Sequence, residues 1–366
     1  MVADGTGIVV ALQANYLEVE LDFPPEGCPS RLLCTRRSRL THRGTEVNVG
    51  DRVRVDVIDA KQARAVVADG RDGIVVALQA NYLEVELDAA PEGCPARLLC
   101  TRRSRLTHRG QEVNVGDRVR VDAIDANAAR AVVSEVSPRQ SWLTRPPVAN
   151  VSLVVVALAV DQPAFDPDQA SRFLLTAERT GLDVQLVLTK VDLVSAEALT
   201  QLCERLRGWG YDPLPLSSES GSGIKVLQKR LQSTTLAVLC GPSGVGKSSV
   251  LNSLLPHLSL RVGAVSGRLQ RGRHTTRHVE LFPIGDEARV ADTPGFNRPE
   301  LPDDPHELGV LFPELRRQLD PWPCRFRDCL HRGEPGCGVS KTWERYGLYT
   351  KALDELLSLS RPSRGD

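Results

Sequence analysis

The chain carries no net charge, because 46 lysines and arginines balance 46 aspartates and glutamates. No global field therefore draws it onto a polyanion or a lipid surface. The N-terminus lacks the basic, apolar and small-residue pattern of a secretion leader, so the cytoplasm is the expected compartment. Long apolar runs are missing as well. The longest, VSLVVVALAV at 151–160, is too short to cross a bilayer and fits a buried parallel strand, so no membrane partner is expected. Nine cysteines without an export signal point to free thiols or metal ligands, not to a disulfide framework. The remaining composition, 41% hydrophobic and 25% charged, is that of a soluble globular protein. A length of 366 residues allows roughly two to four domains.

The charge is unevenly spread. RLLCTRRSRLTHR occurs at 31–43 and again at 97–109, each time with five arginines and no acid. A third basic stretch, RVGAVSGRLQRGRHTTRH, covers 261–278. The first two belong to a tandem repeat: residues 7–67 match 73–133 without a gap and differ at seven positions. Two copies are too few for a solenoid, and their similarity suggests the duplication of a whole small domain. Each copy reads as five short strands with turn signals between them: GIVVAL, YLEVELD, RLLCTRR, VGDRVRVD and ARAVV. A five-stranded OB-fold barrel is the natural architecture, with any other small β-barrel as the alternative.

SEVSPRQSWLTRPPVANV at 134–151 marks a boundary. Beyond it strands and helices alternate, which implies an α/β domain with a mostly parallel sheet. The helices include DPDQASRFLLTAERTG, SAEALTQLCERLRGWG and SGIKVLQKRLQ. From about Leu301 the chain becomes rich in Pro and Cys and ends in a helix read over SKTWERYGLYTKALDELLSL. The expected domains are barrels over 1–67 and 68–135, the α/β domain over 136–300 and a C-terminal domain over 301–366.

GPSGVGKS, from Gly241 through Pro242, Ser243, Gly244, Val245, Gly246 and Lys247 to Ser248, matches the phosphate-loop pattern in full. An apolar strand precedes it, and an apolar helix follows through Ser249. Glycines let backbone N–H groups face phosphates, and the helix start adds its positive end. Lys247 would reach the β- and γ-phosphates, and Ser248 would offer its hydroxyl to Mg²⁺. Downstream, DTPG (292–295) would supply an acid near that ion, Asp292, and at Gly295 an N–H for the γ-phosphate. Between them GRHTTRH places Thr275 or Thr276 as a switch threonine.

LTKVD at 188–192 has the form of a guanine-reading motif. The Asp192 carboxylate can accept from guanine N1–H and the 2-amino group, donors that adenine lacks. The Lys190 stem can lie over the base, and Val191 separates the two. Thr189 stands where Asn is usual, and a hydroxyl replaces only part of an amide's bonding. LSSESGSG at 216–223, with Ser217 and Ser218, would meet the base edge. In an ordinary GTP-binding domain the base motif follows the phosphate loop. Here it precedes it, as expected of a circularly permuted domain whose contacts survive a cut and rejoining.

CRFRDCLHRGEPGC gathers Cys324, Cys329, His331 and Cys337. Three thiolates and one imidazole would close a tetrahedral Zn²⁺ site with no place for a catalytic water, so one structural Zn²⁺ is expected.

Taken in order, a β-barrel, TKVD, GPSGVGKSS, GRHTT, DTPGF and CRFRDCLHRGEPGC resemble ribosome small subunit-dependent GTPase A, the RsgA type of circularly permuted GTPase. The resemblance covers the chain from the second repeat onward. It implies an OB-fold that binds ribosomal RNA, a GTPase domain, and a zinc domain that also touches the ribosome. It further implies late maturation of the small ribosomal subunit, with GTP hydrolysis to GDP stimulated by that subunit; the chain itself is expected to be a monomer. It also suggests His274 as the residue that orients the attacking water. The family normally carries one barrel. The first copy here adds RNA contact, sits idle, or reflects an error in the gene model. Two other readings stay open: an ATP-using P-loop enzyme in which TKVD is accidental, and an RNA-binding module in which the nucleotide is a structural plug.

Overall fold

The computed structural model describes residues 4–12, 16–24, 29–35, 52–59, 64–68, 70–79, 82–103, 106, 110–255, 279–285, 288–292, 299–320 and 323–359. The barrels make up most of one compact unit, and everything from Pro138 onward belongs to another.

In the first unit, β1 (Asp4–Leu12), β2 (Tyr16–Leu21), β3 (Arg31–Thr35), β4 (Arg52–Asp59) and β5 (Arg64–Ala68) form a closed barrel in the order β1-β2-β3-β5-β4. The first and fourth strands pair antiparallel to close it, and β3 runs parallel to β5. The second copy repeats the order with β6 (Arg71–Leu78), β7 (Leu83–Leu87), β8 (Arg97–Arg102), β9 (Arg118–Asp125) and β10 (Arg130–Val136). Its β8 and β10 are again parallel, and β6 closes on β9. This is the OB-fold connectivity. Alternation explains it: Leu17, Val19 and Leu21 are buried, as are their counterparts Leu83, Val85 and Leu87, while the intervening acids are not. Cys34 and Cys100 sit in the two cores, where burial pushes each thiol up to about 12 and leaves it inert as a nucleophile or ligand. Cys28 lies outside the described residues.

The second unit opens with a small hairpin, β11 (Trp142–Thr144) and β12 (Pro147–Ala149), inside the stretch that marks the boundary in the sequence. The α/β sheet then follows. Its strands are β13 (Leu153–Ala159), β14 (Asp183–Thr189), β15 (Leu214–Pro215), β16 (Leu236–Cys240), β17 (Glu280–Ile284) and β18 (Ala288–Asp292). Their order is β15-β14-β13-β16-β18-β17, parallel except for β17. All seven residues of β13 are buried, as its apolar run requires. The strand β17 has no counterpart in the sequence reading, because Pro283 argues against a strand and is tolerated chiefly at sheet edges.

The helices are α1 (Pro167–Glu178), α2 (Ala196–Trp209), α3 (Ile224–Gln232) and α4 (Lys247–Leu254), then α5 (Pro305–Val310), α6 (Pro313–Leu319) and α7 (Tyr346–Leu359). Asp166 caps α1 by accepting from the Asp168 and Gln169 amides, and Gly210 ends α2 at φ 104°. The last helix starts at Tyr346 instead of Ser340. Ser340 and Thr342 hydrogen-bond each other, and the Thr342 amide donates to the Ser340 hydroxyl at 3.2 Å, a local alternative to helix. No helix among the described residues is long and apolar enough to cross a membrane.

Candidate nucleotide site and metal centre

The C-terminal ends of β13, β14, β16 and β18 share one edge of the parallel sheet, where ligands of open α/β sheets gather. The phosphate loop leaves β16 there. Gly241 has φ 140°, and a Cβ on it would fall 2.1 Å from the Ala157 carbonyl oxygen of β13. Only glycine lets the loop root lie that close to the neighbouring strand. Gly244 and Gly246 also have positive φ, while Val245 is buried and anchors the loop to the core beneath the sheet. Lys247 Nζ donates to the Gly241 and Pro242 carbonyls at 2.8 and 2.6 Å, so the ammonium lies inside its own loop. Ser243 is exposed, and Ser248 and Ser249 are half-buried on the first turn of α4.

The base motif arrives from β14, two strands away in the sheet. Thr189 ends that strand and is 3% exposed. Its hydroxyl lies 2.5 Å from the Val245 carbonyl oxygen and 3.2 Å from that of Leu158. A hydroxyl has one hydrogen, and the shorter contact takes it. Thr189 therefore grips the phosphate loop. Lys190, in the left-handed region at φ 59°, donates from Nζ to the Gly244 carbonyl at 2.9 Å and also to that of Gln162. Val191 and Asp192 enter a short 3₁₀ turn, with Asp192 exposed. The Val191 amide donates to the Leu216 carbonyl at 3.2 Å, which ties the base motif to the 216–223 loop. In that loop Ser217 is buried and its hydroxyl accepts from the Ser220 amide at 3.1 Å, while Ser218 is half-buried. Asp292 closes β18 opposite Leu239 of β16, bringing the DTPG segment to the same edge. His274, Thr275, Thr276 and Gly295 lie outside the described residues.

The four metal-ligand candidates converge in the C-terminal part. One ligand atom each from Cys324, Cys329, His331 and Cys337 lies within 4.8 Å of all the others. Cys324 Sγ is 3.9 Å from Cys337 Sγ and 3.4 Å from His331 Nδ1. A tetrahedron with Zn–S of about 2.3 Å has edges of about 3.8 Å, so the donors already stand at metal-binding separations. Burial pushes the Cys329 thiol up to about 12 and holds the His331 imidazole below its ordinary value, hence neutral and able to ligate. A thiol that reluctant to ionise loses its proton when a cation takes its place. The cluster can thus hold a metal such as zinc.

One contributor to this centre escaped the sequence reading. The Glu334 carboxylate accepts from the Arg332 amide at 2.7 Å, the Leu330 amide at 3.2 Å and the Cys329 thiol at 3.5 Å, folding the loop around the ligands. Its one sequence signal is an acid inside a Gly-Glu-Pro-Gly turn. From α7, Tyr349 and Tyr346 donate to the Leu330 and His331 carbonyls at 2.7 and 3.2 Å.

A phosphate loop gripped by a base-reading motif that precedes it in the chain, on a six-stranded sheet of this order, defines a circularly permuted P-loop GTPase. The family model described as RsgA GTPase matches residues 136–302. The chain is 74% identical over 306 residues to the small ribosomal subunit biogenesis GTPase RsgA of Synechococcus sp. (strain CC9605), spanning 84% of this chain and 99% of that protein. It is 76% identical over 292 residues to the protein of the same name from Parasynechococcus marenigrum (strain WH8102), spanning 80% and 98%. Among solved structures it is similar to YjeQ from Thermotoga maritima, with a TM-score of 0.66, 32% identity, and coverage of 80% of this chain and 100% of that one. The structure titled YloQ, a circularly permuted GTPase, gives a TM-score of 0.65 at 28% identity, covering 80% and 97%. The chain belongs to the RsgA GTPase family and is a GTP hydrolase. Nearly all of the Synechococcus relative is used up in matching 84% of this chain, and the remainder is about as long as one barrel repeat.

Proposed function

We propose that the chain hydrolyses GTP on the small ribosomal subunit, late in that subunit's maturation, with the subunit accelerating the reaction. In this reading it works as a cytoplasmic monomer, with RNA-binding barrels over 1–67 and 68–135, a GTPase domain over 136–300 and a zinc domain over 301–366. The relatives' names supply the subunit, and the grip of Thr189 and Lys190 on residues 245 and 244 carries the nucleotide reading. Backbone amides of 241–246 and the Lys247 ammonium would hold the β- and γ-phosphates and meet the charge that develops as water attacks. Mg²⁺ carried with GTP, on the Ser248 hydroxyl and near Asp292, would neutralise phosphate charge. Thr275, Thr276 and the Gly295 amide are the switch contacts of this reading, and His274 orients the water. Phe296 follows Gly295 where a water-orienting glutamine would otherwise stand, so turnover is slow until a partner completes the site. Cys324, Cys329, His331 and Cys337 would hold a structural zinc, since four protein donors leave no place for a catalytic water.

Phosphate release from GTP and from ATP, each with and without purified small subunits, tests this reading. Strong stimulation with GTP alone is the expected result. Equal slow rates for both nucleotides, unmoved by subunits, would leave an RNA-binding module with a nucleotide plug. Asp192→Asn should weaken GTP without weakening ATP, by about 1.5–3 kcal/mol for each charge-assisted bond lost. If the two nucleotides compete as before, TKVD does not read the base.

Thr189 allows a separate test. Its hydrogen is committed to the Val245 carbonyl, so it supports the phosphate loop and leaves base choice to Asp192. Thr189→Val should weaken GTP and GDP alike by about 1–3 kcal/mol, the cost of stranding a buried acceptor, with guanine preference intact. Thr189→Ser should restore most of the loss. A changed GTP-to-ATP ratio in the valine variant would instead mean that Thr189 touches the base.

A further inference from the structure

Between the first two metal-ligand candidates, the chain makes a short tip: Arg325, Phe326, Arg327 and Asp328, all exposed. Phe326 is 51% exposed, which is unusual among the large apolar side chains of the described residues. The Arg325 guanidinium lies 5.5 Å from the Phe326 ring centroid. Neither Arg325 nor Arg327 has a carboxylate partner among the described residues. In the same unit Arg172, Arg205, Arg316 and Arg345 all hold carboxylates. The tip is also fixed at its base. Cys324 and Cys329 flank it within the ligand cluster, and the Arg325 amide donates to the Gly336 carbonyl at 2.9 Å. Gly336 has φ 85°, and a Cβ there would lie 2.8 Å from that of Arg325, so the two strands of the loop are pressed together.

We propose that Arg325, Phe326 and Arg327 form a rigid knob that stacks Phe326 on an unpaired base of RNA while the two guanidiniums hold the adjoining phosphates. The chemistry selects this partner. An exposed aromatic offers a flat face to which any base can stack, and a loop already held at its base loses less entropy when it docks. Two unpaired guanidiniums, five donors each and no acceptor, call for an anion on each side of the ring. A single strand of RNA presents that sequence of anion, planar ring and anion at the spacing of one nucleotide. An apolar protein groove would receive the ring but would strand both cations. Duplex RNA would receive the cations but would hide its base faces. The proposal rests on the reading that the small ribosomal subunit is the partner, and adds which residues of the C-terminal part read its RNA and how.

The test uses the full chain with its metal bound and purified small subunits. Phe326→Ala should weaken subunit binding about five- to 150-fold, the stacking loss of one base, while Phe326→Trp should bind at least as well as the parent. Arg325→Gln with Arg327→Gln should make the dependence of log Kd on log salt shallower by about 1.5. Metal content and subunit-free GTP turnover should not move in any of these variants. A photo-crosslinking phenylalanine at position 326 should attach to a nucleotide. Attachment to a ribosomal protein, or an unchanged affinity in Phe326→Ala, would overturn the knob. Failure of the parent chain to bind subunits would overturn the functional reading instead. A single-stranded RNA oligonucleotide titrated with the same variants would then decide the knob alone, and indifference to Phe326→Ala would end it.

Discussion

Replacing Cys337 with serine should strip the metal from the chain and loosen the C-terminal part while leaving nucleotide binding in place. The size of the effect follows from what the cluster connects. The loop from Cys324 to Val339 has little apolar mass of its own. Cys324, Leu330 and Cys337 are only partly buried against the core formed by Leu308, Phe312, Leu315, Tyr349 and Leu353. Its other ties are the Glu334 turn, the two tyrosine hydroxyls, the exposed pair of Arg332 with Asp354 at 3.0 Å and the buried Val339 at its end. Each such hydrogen bond is worth about 1 kcal/mol net. Structural zinc in small domains contributes about 10–16 kcal/mol of apparent binding energy, which the remaining ties cannot replace. Elemental analysis should fall from about one zinc per chain to near zero. Limited proteolysis should then cut between residues 324 and 337. Affinity for GTP should stay within about twofold, because the phosphate loop is supported by the sheet and by Thr189, not by this loop. A serine variant that retains its zinc through dialysis against a mild chelator would remove Cys337 from the ligand set.

What could be read from the sequence was whatever repeats within a few residues. Strand alternation such as Leu83, Val85 and Leu87 sets the barrel faces, and the phosphate loop and ligand spacings are contiguous patterns. What could not be read depends on pairings between distant segments. The parallel pairing of β8 with β10, which gives the barrel its connectivity, joins residues about thirty apart and leaves no mark on either strand. Thr189 looked like a weakened asparagine in sequence. Only the contact with Val245, 56 positions later, shows its hydrogen committed to the phosphate loop. Pro283 hid β17, and the prolines around 146 hid the hairpin of β11 and β12. Arg345 is the extreme case. Trp-Glu-Arg-Tyr-Gly falls within the stretch read as the last helix, yet its arginine is fully buried. That burial is decided by residues contributed from α1, α2, α6 and the segments beside them, and no local pattern reports them.

Arg345→Ala should cost about 3–5 kcal/mol, the penalty for leaving a buried carboxylate without its partner. The guanidinium holds both oxygens of Glu314 on α6, one at 2.7 Å, and donates to the Ser171 hydroxyl on α1 at 3.2 Å. Around it stand Trp209, Phe312 and Tyr211, with ring centroids 4.7, 4.9 and 5.7 Å from Cζ. Glu314 is 7% exposed, so water cannot take over the bond when the arginine is removed. A midpoint drop of about 6–20 °C in the unfolding of this unit is the expected size. Lysine should not rescue it, because an ammonium cannot supply the two-pronged contact or lie flat between the rings. Arg345→Met combined with Glu314→Leu should recover much of the loss, since an apolar pair of similar volume leaves no stranded charge. If the alanine variant melts within 1 °C of the parent, about what a free surface side chain would give, the cage does not hold these helices together. If it melts early but the double variant recovers, the pair is a joint. It links α1 and α2, which carry the base motif between them, to the helices that support the metal loop.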